Sequence, residues 1–71
     1  MKINDKINIF NNLNDYSDIC LDLGCGNNKK NSSYIGIDIE DFDSVDIVGD
    51  IFDVLSKFPE ASVDKIVSFH F

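Results

Sequence analysis

Apolar residues along this chain gather in short blocks separated by turns rich in Asn, Asp, Gly and Ser. Ile3, Ile7, Phe10 and Leu13 recur at spacings of four, three and three, which fits one face of an amphipathic helix within a polar lead segment, residues 1–18. The intervening Asn4, Asn8, Asn11, Asn12 and Asn14 are poor helix formers and oppose that helix. Ile19 to Leu23 predict a first buried strand, and Asn27 to Ser33 a polar loop. Tyr34 to Ile39 predict a second strand, and Val45 to Val48 a third. Asp53 to Phe58 fit a short helix with Asp50 or Asp53 at its N-terminus and Pro59 as its stop. Val63 to Phe71 predict a fourth buried strand. Short apolar strands divided by polar or helical connections imply an α/β fold with a parallel sheet.

The junction Leu21-Asp22-Leu23-Gly24-Cys25-Gly26-Asn27 is the most informative stretch. A buried strand there gives way to two glycines, which tolerate positive φ and have no Cβ to hold a ligand off the backbone. Open α/β sheets bind ligands at such carboxyl ends of strands. The third glycine of a G-x-G-x-x-G dinucleotide fingerprint would fall at position 29, which is Lys29. A diphosphate grip is therefore not supported, and a nucleoside without one is favoured.

Composition narrows the field further. Thirteen acidic residues against six basic ones give a net charge of −7, with no basic patch, so a nucleic-acid partner is not expected. Cys20 and Cys25 are too few and too close for a disulfide framework or a metal finger, so no metal is expected. Cys20 reads as a small buried hydrophobe and Cys25 as a small residue fitted between glycines. Met1 leads into a polar segment and no apolar run reaches membrane-spanning length, so the expectation is a reduced, cytoplasmic compartment with no membrane contact.

Two carboxylates give the glycine turn chemical context. Asp38, at the end of the second strand, can accept both hydroxyl hydrogens of a ribose, a geometry that selects an unphosphorylated sugar. It follows Gly26 by 12 positions, closer than the roughly 20 usual in dinucleotide folds, so the first crossover is short. Asp50, after the third strand, stands in the next loop along the same edge, where it can accept an exocyclic amine or cap the helix that follows. Asp38 can equally be a turn-capping residue.

In order, Leu21 to Asn27, Tyr34 to Ile39, Val45 to Ile51 and Ser62 to His70 resemble the N-terminal half of the class I S-adenosylmethionine-dependent methyltransferases. The likeness covers residues 19–71 and is nearest to small, methyltransferase type 11-like bacterial members with a short first crossover. It implies a partial Rossmann-like domain, about four strands of a seven-stranded fold, using S-adenosyl-L-methionine to methylate a small-molecule, sugar or lipid acceptor. By this resemblance, Asp22, Gly24 and Gly26 hold the methionine end of the cofactor. Asp38 holds the ribose, and Asp50 with the Ile51 backbone lies beside the adenine. His70 matches a histidine often found where substrate and methyl group meet, a weak catalytic candidate that otherwise reads as a surface or packing residue. Methyl transfer from a sulfonium needs mainly proximity and in-line orientation, so these residues would bind and position rather than transfer protons.

The pattern departs from that family in two places. The stretch from Asn27 to Ser33 has almost no room for the helix that usually follows the first motif, and strands beyond the fourth are absent. The expectation is therefore a fragment of a larger fold, or a non-catalytic remnant or interaction module whose sheet is covered by self-association or a partner chain. A nicotinamide-dependent oxidoreductase is a third alternative, with Lys29 and the short Gly26-to-Asp38 spacing against it.

Overall fold

The four expected strands pair side by side because their apolar residues fall in register. In the computed structural model, which describes residues 2–68, Leu21 lies beside Ile35 and Leu23 beside Ile37 where β2 (Cys20–Leu23) runs parallel to β3 (Ile35–Asp38). Ile37 in turn lies beside Ile47 of the parallel β4 (Ile47–Val48). On the other flank of β2, the parallel β5 (Lys65–Val67) sets Ile66 beside Leu21. Period-two alternation then puts Leu21, Leu23, Ile35, Ile37 and Ile47 on one face, where all five are buried. Burying each such side chain stabilises the fold by about 1.5–3 kcal/mol.

The sheet also contains a strand that the periodicity concealed. β1 (Asn4–Asp5) pairs antiparallel with β4, so the sheet is mixed and its order is β1-β4-β3-β2-β5. Among the described residues of the lead segment, 2–18, no amphipathic helix forms. Two single 3-10 turns, Ile9–Asn11 and Leu13–Asp15, stand in its place. Two local causes are visible. Asn8 takes a left-handed conformation with φ of 55°, and the Asp5 carboxylate accepts the amides of Ile9 and Phe10, each at 3.1 Å. Asparagine and aspartate compete with the helix in just these ways. The apolar residues keep their burden nonetheless: Ile9 is fully buried, and Ile3, Ile7, Phe10 and Leu13 pack against the core.

Helix α1 (Ile51–Ser56) begins two residues earlier than the pattern suggested. Asp50 caps it, its carboxylate accepting the amides of Phe52 and Asp53. The helix ends at Ser56, three residues before Pro59 and two short of the expected Phe58. Ile51, Val54 and Phe58 face inward, and Phe58 meets Phe10 edge-on with ring centres 4.9 Å apart. Among the described residues the expected fourth strand is confined to Lys65–Val67 and lies at the sheet edge, and its expected end at residues 69–71 lies outside the described residues. Ile66 remains 51% exposed, while α1 packs over β3. The third expected strand also shortens, because Val45 closes a turn onto Phe42 before β4 begins.

Candidate functional site

The glycine turn sits at the carboxyl end of β2, in the middle of the sheet. Gly24 and Gly26 have φ of 67° and 58°, the left-handed region that side chains with a Cβ rarely occupy. The intervening Cys25 is buried. Three bonds fix this shape. The Gly24 amide donates to the Ile37 carbonyl at 2.7 Å, and the Gly26 amide to Asp38 Oδ2 at 2.8 Å. The Ser44 hydroxyl donates to the Gly26 carbonyl, also at 2.8 Å.

Asp38 is thus joined to the glycine turn, as its place at the end of the neighbouring strand requires. Its second oxygen accepts the Glu40 amide at 3.0 Å. The Gly49 amide donates to the Asp38 carbonyl at 3.0 Å, which brings the start of the next loop, and with it Asp50, to the same edge. Both helix amides bound by Asp50 reach one oxygen, Oδ1. Ile51 is buried by its side chain. Asp22 sits deeper: it is buried, and its Oδ2 accepts the Lys30 amide at 2.7 Å, folding the loop after the turn back over the strand. Gly24, Gly26, Asp38 and Asp50 therefore share one edge, with Asp22 set beneath the loop. His70 lies outside the described residues.

Sequence reasoning missed the residues that hold the turn from behind. Lys29 Nζ and the Gly36 amide both reach Asp46 Oδ2, at 2.9 and 2.8 Å. A Cβ on Gly36 would lie 2.7 Å from Cys25 Sγ and 2.9 Å from the Ser44 carbonyl oxygen, so the turn packs directly on β3. Burial first, then the carboxylates of Asp22, Asp38 and Asp46, push the Cys25 thiol up to about 11, against the opposing pull of Lys29. Cys25 is consequently a protonated packing residue at neutral pH, not a nucleophile. Ile39 and Phe52 are large apolar residues left exposed, 55% and 69%. Each closely follows a carboxylate of this edge, and an apolar residue beside a strand-end acid was the available signal.

A groove of about 800 Å³ lies elsewhere, lined among others by Asn12, Tyr16, Ile19, Glu60 and Ser62. Ile19 precedes β2 and Ser62 precedes β5, so the groove opens at the amino ends of the strands, opposite the glycine turn. The Ser62 hydroxyl is buried without a partner. Among the described residues, no group of three or more His, Cys, Asp or Glu could hold a metal ion, and no helix is long and apolar enough to cross a membrane. Comparison of the chain with family models, curated proteins and solved structures gives no match.

Proposed function

We propose that this chain binds S-adenosyl-L-methionine and is a methyltransferase or its cofactor-binding half. The observation that carries the reading is the bond from the Gly26 amide to Asp38. It couples a positive-φ glycine turn to a strand-end carboxylate on the two central strands of the sheet's parallel part. Counted from β2, the parallel strands run third, second, first, fourth, the order of the first half of a doubly wound, Rossmann-like sheet. An antiparallel strand at the edge of such a sheet is common.

The residues fit the ligand. A carboxylate offers about four acceptor positions; two on Asp38 are taken by Gly26 and Glu40, which leaves two for a ribose diol. Asp50 keeps Oδ2 for an adenine amine while Oδ1 caps α1. Ile39 and Phe52 offer apolar surface to the base. Asp22, Gly24 and Gly26 would receive the methionine end. The bound cofactor supplies a methyl group already activated on sulfur, and the protein's part is to hold and orient it. The acceptor is proposed to be a small molecule, and the setting cytoplasmic.

A second reading, a non-catalytic interaction module, draws on the internal use of the same groups. Asp22 is buried on the Lys30 amide, and Gly26 has both its amide and its carbonyl occupied. Calorimetric titration with S-adenosylmethionine, S-adenosylhomocysteine and NAD separates the readings. The expected result is binding of the first two and not of NAD. Binding of NAD alone would sink the proposal, and binding of none of the three would favour the interaction module.

A further inference from the structure

The first crossover contains no helix, so the glycine turn lacks the support that a following helix would give. Its support comes instead from the acidic loop between β3 and β4. Ser44 donates its hydroxyl to the Gly26 carbonyl at 2.8 Å, across 18 residues of sequence. Ser44 is itself held in place: its own carbonyl oxygen packs on Gly36. Two residues on, the Asp46 amide donates to the Gly36 carbonyl at 2.8 Å, while Asp46 Oδ2 accepts the Gly36 amide. Gly26 is therefore gripped from two sides, its amide by Asp38 and its carbonyl by Ser44.

We infer that Ser44 is a positioning residue, which sets the Gly24–Gly26 turn for the amino-acid end of the ligand without touching the ligand's nucleoside end. The inference rests on the cofactor reading above. Asp38 and Asp50 would hold the nucleoside from the strand ends, while the turn, with Asp22 beneath it, would meet the methionine part. A loosened Gly26 then penalises a ligand that carries an amino-acid tail and spares one that lacks it. A residue that merely stabilised the fold would affect both ligands alike.

The test compares S-adenosylhomocysteine with adenosine by calorimetry on the wild type, Ser44→Ala and Ser44→Thr. Loss of one neutral hydrogen bond corresponds to roughly a fivefold weakening. Ser44→Ala is expected to weaken S-adenosylhomocysteine by about that factor and adenosine by less than about twofold, with Ser44→Thr restoring the wild-type ratio. Equal weakening of both ligands, or none, would overturn the positioning role while leaving wild-type binding intact. A wild type that binds neither ligand would instead overturn the cofactor reading and this inference with it. Should Ser44→Ala not fold, Ser44→Cys, whose thiol is a weaker donor, is compared with the same two ligands and judged by the same outcomes.

Discussion

Lys29 Nζ and Asp46 Oδ2 stand 2.9 Å apart, joining the loop after the glycine turn to the residue just before β4. Lys29 occupies the position where a dinucleotide fingerprint would have its third glycine, and here it serves as a tether. The pair is about four-fifths buried, with side-chain exposures of 17% and 21%. Asp46 also accepts the amide of the buried Gly36, so its two duties can be separated. Asp46→Ala should lower the unfolding free energy by about 2–3 kcal/mol, because it strands a buried amide as well as breaking the pair. Lys29→Met keeps the alkyl chain and should lower it by only about 1 kcal/mol. Urea midpoints measure both, and equal losses would mean that the Gly36 amide does not depend on Asp46.

Gly36→Ala is expected to be destabilising for reasons of space. The new Cβ would meet Cys25 Sγ at 2.7 Å, the Ser44 carbonyl oxygen at 2.9 Å and Lys29 Cδ at 3.0 Å. Overpacking of this kind costs about 1–3 kcal/mol. Adding Cys25→Ala should recover part of the loss by removing the sulfur, but not all of it, since the Ser44 carbonyl remains. A double-mutant cycle in urea reads the coupling directly, and strict additivity would show that turn and strand do not touch.

Much of this edge was legible because local chemistry fixes it. An apolar run ending in two glycines gives β2 and its turn, and an aspartate with a proline nine residues later brackets α1. The ties that hold the turn were not legible, since they join residues 10 to 18 positions apart through strand register: Gly36 to Asp46, Lys29 to Asp46, Gly26 to Ser44. Read alone, Lys29 signalled only a missing glycine. At the N-terminus the apolar spacing was genuine, and its residues do pack on the core. Spacing of four and three cannot distinguish a helix from a strand followed by tight turns when Asp5 and Asn8 redirect the backbone.

The Cys25 thiol gives the fold a measurable alkaline dependence. In the unfolded chain it ionises near 9.0, whereas in the folded protein it is pushed up to about 11. Between those values the unfolded chain releases the proton and the folded protein keeps it. The stabilisation is therefore complete below pH 9.0 and is lost as pH rises towards about 11. Cys25→Ser has no group titrating there, and the lysines and tyrosines are common to both proteins. The wild-type minus variant difference in unfolding free energy should be level below pH 9 and fall above it. A level difference through pH 11 would place the thiol in a water-like environment.

Asp50 caps α1 and, on the cofactor reading, would also accept an adenine amine, two roles that substitution can divide. Asp50→Ala removes the cap and should cost about 1 kcal/mol, whereas Asp50→Ser retains a capping oxygen and should lie within about 0.5 kcal/mol of wild type. Serine has no second oxygen to offer an adenine amine. Adenosine affinity should therefore fall in both variants, although only one loses stability. Unchanged affinity in Asp50→Ser would reduce Asp50 to a helix cap.

Asp38 is the stricter case, because the same carboxylate holds the turn and would hold the sugar. In Asp38→Asn a single oxygen remains, which can serve the Gly26 amide, so the fold should lose only about 1 kcal/mol. The ribose loses more. A diol bound through two charge-assisted hydrogen bonds depends on both oxygens and on the charge, and such bonds contribute about 1.5–3 kcal/mol each. S-adenosylhomocysteine should therefore bind at least roughly tenfold more weakly to Asp38→Asn, the equivalent of about 1.4 kcal/mol or more. Calorimetry gives the affinity and urea unfolding the stability, from the same two proteins. If the binding loss does not exceed the stability loss, the carboxylate serves the turn alone. A larger binding loss requires a ligand contact that the folded chain does not itself supply.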